Sequence, residues 1–213
     1  MLAEEAFEIV HTRYHVSRET WGKVDAFIAL LGQWNQSLRL IGPKEWSHIW
    51  SRHVLDCAAL LKHIDQDMHV ADFGSGGGFP GIILSLLGVR HVSMTESSHK
   101  KAAFLRKASL LSDGLITIHT QRIEVLPEFD ADVITARALA PLPELLTLLE
   151  KFIVRADFAL FFKGQNVVEE VNSATRYWNM DVRIDENQLN PGSSIVRINH
   201  LSKKKKEAPN HGT

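Results

Sequence analysis

The chain has 213 residues, of which 45% are hydrophobic, and its formal net charge is −1. This length allows one fully buried core, and the charge balance excludes a global basic field directed at nucleic acid, although it leaves room for a local basic face. The single cysteine, Cys57, excludes an internal disulfide and favours a reducing compartment. Neither a signal peptide nor an apolar run of roughly 18 residues is visible, so we expect a soluble cytoplasmic protein without a membrane partner.

Helices are predicted through the first 65 residues. Met1–Tyr14 forms a modest helix, and Ser17 is a suitable N-cap for a second helix with one apolar face. Gly42 interrupts the pattern, and Pro43 begins a third helix that runs roughly over Glu45–His63. The apolar face of the second helix consists of Trp21, Val24, Ile28, Leu31 and Trp34.

Strand-like and helical runs alternate from Met68 onward. Short links between them predict an α/β fold with a mostly parallel, doubly wound sheet. Two final runs, Met180–Glu186 and Ser194–Leu201, predict a C-terminal antiparallel hairpin. The predicted parallel strands are Met68–Phe73, Val89–Thr95, Leu115–His119, Asp132–Ala136 and Phe158–Lys163. The predicted helices between them are Phe79–Leu87, His99–Leu111, Pro141–Phe152 and Val167–Trp178.

A single domain is predicted, because no linker or internal repeat divides the chain. It covers residues 1–202, with a helical N-terminal part at 1–65 and an α/β core at 66–202. Residues 203–213 begin with four lysines and continue with polar residues, so we expect a disordered basic tail. Such a tail would be solvated or would add salt-sensitive affinity for RNA.

The stretch from Val70 to Gly81 organises the chain. It reads as a buried strand, a glycine-rich turn and the start of a helix, and glycine lets a ligand approach the backbone closely. Glu96 ends the next strand, 22 positions after Gly74, where nucleoside-binding folds place an acid on the ribose hydroxyls. Phe79 replaces the last glycine of the dinucleotide fingerprint, so the spacing is more similar to the nucleoside loop of class I S-adenosylmethionine-dependent methyltransferases. A tight turn without a ligand is the alternative.

Seven short stretches together resemble one family, the glucose-inhibited division protein B family of bacterial 16S ribosomal RNA guanine-N7 methyltransferases. They occur in the family's order and spacing and cover roughly residues 20–200. The segment Gly-Phe-Pro-Gly after the glycine loop, with Arg-His-Val-Leu-Asp about 20 residues earlier, is far more specific than the loop alone. The stretches are Leu31–Asn35, Arg52–Asp56, Asp72–Gly81, Lys100–Leu105, Arg122–Glu124, Thr135–Ala140 and Lys163–Gln165.

This resemblance implies a Rossmann-like class I methyltransferase with S-adenosylmethionine as cofactor and 16S rRNA or the small ribosomal subunit as partner. Glu96 would accept hydrogen bonds from both ribose hydroxyls, and Ile123 and Glu124 would lie beside the adenine. Phe79 is either a cofactor contact or a core residue, and Arg137 either contacts the cofactor, meets an RNA phosphate or forms a structural ion pair. We expect a monomer with no protein partner. The implied cofactor-binding residues are Gly74, Gly76, Gly78, Phe79, Glu96, Ile123, Glu124 and Arg137.

Arg52, His53 and Lys163 are the candidate RNA contacts. Arg52 and Asp56 share a helix face, so this face either closes over the site and holds the RNA backbone or carries only an i,i+4 ion pair. Lys163 ends the fifth strand at the ligand-binding edge of the sheet, where it would meet phosphate or a base, or remain solvated.

No catalytic base, nucleophile or metal site is expected. The 11 histidines show no ligand spacing beside a carboxylate, and nothing near Cys57 would activate its thiol. Guanine N7 carries an in-plane lone pair and no proton. Methyl transfer to it therefore needs positioning and exclusion of water rather than a base.

Three other functions remain open at this point. A methyltransferase acting on another RNA or on a small molecule is the nearest alternative. A non-catalytic ribosome-binding protein would retain the pocket but bind cofactor weakly, and the intact glycine loop with Glu96 argues against it. A dinucleotide oxidoreductase is disfavoured by Phe79 in place of the last glycine.

Overall fold

The computed structural model describes residues 1–190 and 192–205, and within them seven strands form one sheet. The strands are β1 His69–Phe73, β2 His91–Thr95, β3 Leu115–His119, β4 Val133–Ala136, β5 Phe158–Lys163, β6 Trp178–Glu186 and β7 Ser194–Lys203. Their spatial order is β3-β2-β1-β4-β5-β7-β6. The first five are parallel, and β7 is antiparallel to both β5 and β6. The predicted parallel sheet with a C-terminal antiparallel hairpin is confirmed.

Helices cover both faces of the sheet, as a parallel sheet requires. Alternate residues of one strand face opposite layers: Val70 packs into the cluster that contains α1, α2, α5 and α6 side chains, and Ala71 packs into the cluster under α7 and α8. Val133 and Ile134 divide in the same way. The α-helices are α1 Ala3–Tyr14, α2 Arg18–Leu38, α3 Pro43–Trp46, α4 Leu55–Ala59, α5 Gly81–Leu86, α6 His99–Ser109, α7 Leu142–Ile153 and α8 Val167–Ala174.

The single helix predicted over Glu45–His63 is wrong. A π-helix over Ile49–Val54 lies between α3 and α4, and a 3₁₀ turn follows at Leu60–Lys62. In a π-helix the hydrogen bonds span five residues, so residues five apart share a face. Ile49 and Val54 are five apart, and both are buried. Burying this apolar pair favours the wider turn, which the three-four spacing of an α-helix would not predict.

Several helices are shorter than predicted, among them α5 and α8. Helix α5 begins at Gly81 rather than Phe79, because residues 76–80 form a turn in which Gly78 has a positive φ of 90°. Helix α8 ends at Ala174 rather than Trp178, which instead opens β6. The backbone changes direction there through a hydrogen bond from Tyr177 N to Ala174 O.

Strand β7 extends to Lys203, one residue past the boundary expected at 202. Lys203 pairs with Trp178 of β6, and Lys204 N donates to Tyr177 O at 2.9 Å. The disorder expected for the rest of the tail concerns mainly 206–213, which lie outside the described residues. Among the residues that are described, no helix is both long and apolar enough to span a bilayer.

Candidate active site

A glycine loop connects β1 to α5 at the carboxyl edge of the sheet. Gly74, Gly76 and Gly78 have φ values of 74°, 47° and 90°, a region that side chains with a Cβ rarely adopt. The N–H groups of Gly74 and Ser75 both donate to Thr95 O, at 2.9 and 3.1 Å. The loop therefore bends over the end of β2 and leaves a bare peptide surface.

Glu96 lies beside this loop, immediately after β2, and is 8% exposed. Its Oε2 accepts a hydrogen bond from Gly76 N at 3.1 Å, and its Oε1 accepts one from Ser98 N at 2.8 Å. Each carboxylate oxygen retains acceptor capacity, so the group remains able to bind two further donors. The structure thus brings Glu96 and the glycine loop together, and Glu96 also anchors the residue that caps α6.

Asp72 supports the loop from below, a role that the site prediction did not include. Its Oδ2 accepts a hydrogen bond from Gly81 N at 3.3 Å, and its Oδ1 accepts one from Thr135 Oγ1 at 3.3 Å. Burial is the main reason that the pKa of Asp72 rises to about 6. In the sequence, the signal for this supporting role was a carboxylate within an otherwise apolar strand.

The segment after β4 covers the other side of the loop. Ala138 has a positive φ of 49°, and Leu139 Cδ1 stands only 2.8 Å from the place that a Cβ on Gly74 would occupy. A side chain at position 74 would therefore collide with Leu139. The crevice above β1 is bordered by the glycine loop on one side and by Leu139 on the other.

Arg137 precedes this segment and joins it to the π-helix. Its Nη2 donates to Arg52 O at 2.6 Å and lies 3.5 Å from Asp56 Oδ2. Asp56 Oδ1 also accepts hydrogen bonds from the side-chain amides of Asn187 and Asn190, at 2.7 and 2.9 Å. Burial raises the pKa of Asp56 to about 6. This buried network connects the N-terminal helices, the β4 end and the β6–β7 connection.

The expected i,i+4 ion pair between Arg52 and Asp56 is absent from the described ion pairs. Arg52 instead lies 3.8 Å from Glu45, and its side chain is 56% exposed. Arg52 lies in the π-helix with its side chain toward the solvent, whereas Asp56 lies in α4, is 4% exposed and contacts Arg137.

Phe79 forms a buried wall between two aromatic rings. Its ring centroid is 5.0 Å from that of His53 and 5.5 Å from that of Phe27. Burial, with Arg137 and Arg52 nearby, lowers the pKa of His53 to about 3, so its ring is neutral at pH 7. Phe79 is thus a core residue in this conformation, and His53 presents no cation to RNA.

The remaining predicted residues lie along the same edge. Ile123 is buried in a 3₁₀ turn after β3, while Glu124 beside it is exposed. Lys163 ends β5 with only 8% of its side chain exposed, bonded to Glu170 at 2.7 Å and to Ala140 O at 3.0 Å. Lys163 is therefore paired rather than solvated, the second of its two alternatives, and it lies at the rim of a cavity of about 400 Å³ between the ends of β4 and β5.

No nucleophile or metal site accompanies this arrangement in the described part of the chain. Groups of three metal-ligating side chains are absent from residues 1–190 and 192–205. Cys57 is fully buried, and burial raises the pKa of its thiol. The edge therefore offers the partly exposed backbone of Gly74 and Gly76, one carboxylate and one guanidinium.

Comparison with known proteins gives a consistent set of relatives. A family model described as rRNA small subunit methyltransferase G matches residues 21–192. The ribosomal RNA small subunit methyltransferase G of Hyphomonas neptunium is 45% identical over 165 residues, 77% of this chain and 80% of that protein. That of Gluconobacter oxydans is 38% identical over 188 residues, 88% of this chain and 97% of that protein.

Solved structures with a similar fold are more distant in sequence. A ribosomal protein L11 methylase from Lactobacillus delbrueckii subsp. bulgaricus has a TM-score of 0.53 and 18% identity, covering 71% of this chain and 77% of that chain. A TehB-like SAM-dependent methyltransferase from Corynebacterium glutamicum has a TM-score of 0.52 and 15% identity, covering 76% and 95%. These similarities establish the fold as that of class I methyltransferases.

The raised pKa of Asp72 predicts a pH-dependent stability. The folded protein holds this proton above the pH at which the unfolded chain releases it, so the free energy of unfolding falls as pH rises from about 4 to about 6. Asp72→Asn removes this component, which is worth roughly 3 kcal/mol for a shift of about two pKa units. Urea unfolding of both proteins at pH 4 and pH 7 measures the difference.

Asp65→Asn, at an exposed aspartate, is the matched control and leaves the pH dependence of the wild type unchanged. Equal pH dependence in wild type and Asp72→Asn would contradict the assignment.

Proposed function

Because this chain belongs to the rRNA small subunit methyltransferase G family, we propose that it methylates guanine N7 in the 16S rRNA of the small ribosomal subunit, with S-adenosylmethionine as methyl donor. The observation that carries the proposal is the glycine loop held against Glu96 at the carboxyl ends of β1 and β2. Open α/β sheets bind ligands at this edge.

The chain's own groups fit this cofactor. Partly exposed peptide at Gly74 and Gly76 admits the methionine part, while Gly78, where an added Cβ would meet Ile82 and Phe27, lets the loop pack against the core. Glu96, with one N–H bonded to each oxygen, keeps acceptor sites for the two ribose hydroxyls. When bound, S-adenosylmethionine supplies an electrophilic methyl group on a sulfonium.

The remaining cofactor contacts follow along the same edge. In this proposal the 3₁₀ turn at Ile123 and Glu124 lies beside the adenine, with its backbone reading the base edge. Arg137 stands at the mouth of the crevice, and its guanidinium is fixed by Asp56 and Arg52 O. Phe79 contributes the buried wall behind the loop rather than an exposed stacking surface.

Guanine N7 suits a site without a catalytic base. N7 loses no proton on methylation, so the residues have only to orient the base, exclude water and tolerate positive charge on the purine. Orientation alone supplies on the order of 7–11 kcal/mol of a reaction barrier. Neutral His53 adds no repulsive cation next to the crevice. These properties favour N7 over an exocyclic amine, which needs a proton acceptor.

Arg52 is the proposed contact to the RNA backbone. It is the one of the three candidates whose charged group is exposed, and its carbonyl bonds Arg137 at the site mouth. His53 is neutral, and the amine of Lys163 is bonded to Glu170. We assign these two to shaping the site. All of these residues come from one chain, so a monomer is sufficient for the proposed activity. An rRNA substrate implies that the protein acts in the cytoplasm.

The proposed activity is tested by methylation mapping. Purified protein is incubated with labelled S-adenosylmethionine and either naked 16S rRNA or intact small subunits, and the RNA is cleaved chemically at N7-methylguanine. We expect one cleavage site in 16S rRNA and none with 23S rRNA as control. Label on a small molecule, on another RNA or at a different guanine atom would sink the proposal.

Gly76→Val tests the loop as the cofactor site. The nearest atom to a Cβ at this position is Gly74 O at 3.7 Å, but valine strongly disfavours a φ of 47°, so the loop has to change shape. We expect no heat of S-adenosylmethionine binding in calorimetry. The same substitution at Gly22, an exposed helical glycine with open space around it, preserves binding. Unchanged affinity in a folded Gly76→Val protein would refute the assignment.

Arg52→Ala tests the RNA contact separately from the cofactor. We expect roughly tenfold weaker binding to 16S rRNA and a salt dependence shallower by about 0.7, the share of one phosphate contact on a single strand. Affinity for S-adenosylmethionine stays at the wild-type value. Arg90→Ala is the control, because Arg90 is also an exposed arginine in a surface ion pair. A lower melting temperature with unchanged RNA binding would mean that Arg52 serves only its pair with Glu45.

A further inference from the structure

A long groove lies beside α7, away from the glycine loop. It encloses about 1130 Å³ between α7 and the edge formed by β6 and β7. Pro143 and Leu148 of α7 and the buried Trp178 of β6 give it apolar walls. We call this the α7 groove. We propose that it binds a single-stranded segment of the substrate RNA next to the target guanine, an inference that rests on the function proposed above.

An exposed aromatic ring stands at the rim of the α7 groove. Tyr177 is 65% exposed, although it lies in the turn between α8 and the buried Trp178. Its backbone is fixed on both sides, since Tyr177 N donates to Ala174 O at 3.0 Å and Tyr177 O accepts from Lys204 N at 2.9 Å. A solvent-facing ring on a fixed backbone, beside apolar walls, is suited to stacking an unpaired base.

Cations surround this ring. Arg176, Lys203, Lys204 and Lys205 all line the α7 groove, against a single acidic lining residue, Glu144. Lys203 pairs with Glu150 of α7, which leaves the excess charge on the other three. The whole chain carries a net charge of −1, so this rim is a local concentration of positive charge. Phosphates alternate with bases along an RNA strand, and one exposed ring beside these cations matches one base and its flanking phosphates.

The α7 groove is continuous with the site edge. Ala140 lines both the groove and the cavity of about 400 Å³ between the ends of β4 and β5. Helix α7 begins just after this residue and runs away from the carboxyl edge, and its 12 residues extend about 18 Å at 1.5 Å per residue. A strand that presents its base at the carboxyl edge thus has a path along α7 to the lysines.

Charge and shape select RNA over a protein segment as the occupant. An acidic peptide would match the lysines but leave the exposed tyrosine and the apolar walls without a regular partner. A base stacked on Tyr177 covers apolar surface while its own phosphates reach Lys204 and Lys205. Sequence-tolerant stacking and salt-sensitive phosphate contact are therefore the expected properties of the α7 groove.

Two variants measure these contributions separately. Tyr177→Ala removes the stacking surface, and the double variant Lys204→Ala/Lys205→Ala removes two phosphate contacts. Their controls are Tyr177→Phe, which keeps the ring, and Lys62→Ala/Lys107→Ala, which removes two exposed lysines elsewhere. Anisotropy of a labelled single-stranded RNA that spans the mapped guanine gives affinity at several salt concentrations. Methylation kinetics give KM for RNA, kcat and the affinity for S-adenosylmethionine.

We expect Tyr177→Ala to bind the RNA about fivefold or more weakly, with Tyr177→Phe near wild type. For the lysine double variant we expect the slope of log affinity against log salt to be shallower by about 1.4, the share of two phosphate contacts on a single strand. The control pair is expected to keep the wild-type slope. In both groove variants KM rises while kcat and cofactor affinity stay unchanged.

Wild-type KM and RNA affinity in both groove variants would falsify the inference, whereas failure of the wild type to methylate rRNA is a failure of the proposed function. An effect seen only with assembled subunits, and not with free RNA, would also overturn the inference in favour of a ribosomal protein partner.

Discussion

The hydrogen bond from Gly76 N to Glu96 Oε2 joins the two strands on which the site depends. Gly76 belongs to the turn that leaves β1, and Glu96 is the first residue beyond β2, so their contact fixes the width of the crevice above both strands. Asp72 holds the same turn from below through Gly81 N. A buried, partly desolvated carboxylate on either side leaves the loop little freedom, and this fixed geometry lets bare peptide act as a binding surface.

A second polar network connects this crevice to the rest of the molecule. Asp56 forms an ion pair with Arg137 at the end of β4 and accepts hydrogen bonds from two asparagine amides in the β6–β7 connection. Such a buried network stabilises the fold only when its members are satisfied together, because removal of one partner leaves an uncompensated polar group. The π-helical turn holds Arg52 at the surface, and α4, which follows it directly, holds the buried Asp56. In the proposed function, the same turn thus separates a structural carboxylate from an RNA-facing cation.

Much of the architecture was predictable from residue patterns. Alternating apolar strands and helices predicted the parallel sheet and the terminal hairpin, because a strand buried on both faces has to be continuously apolar. The glycine spacing and Glu96 predicted the two halves of the crevice. The boundaries at Phe79 and Trp178 were wrong for one reason: both are large apolar residues that continue a helical pattern in sequence, while the neighbouring turns make α5 begin later and α8 end earlier.

The sequence by itself determined where the glycine loop would form, because positive φ values demand glycine at particular positions. It also determined the family, through seven stretches in a fixed order. Only the tertiary structure decided the partners of the charged residues: Lys163 bonds Glu170, Asp56 bonds Arg137, and the basic rim meets Tyr177. Asp56 and Arg137 lie far apart in the chain, and the choice among all these partners depends on burial and on the angle at which helices meet the sheet, neither of which a local pattern of residues encodes.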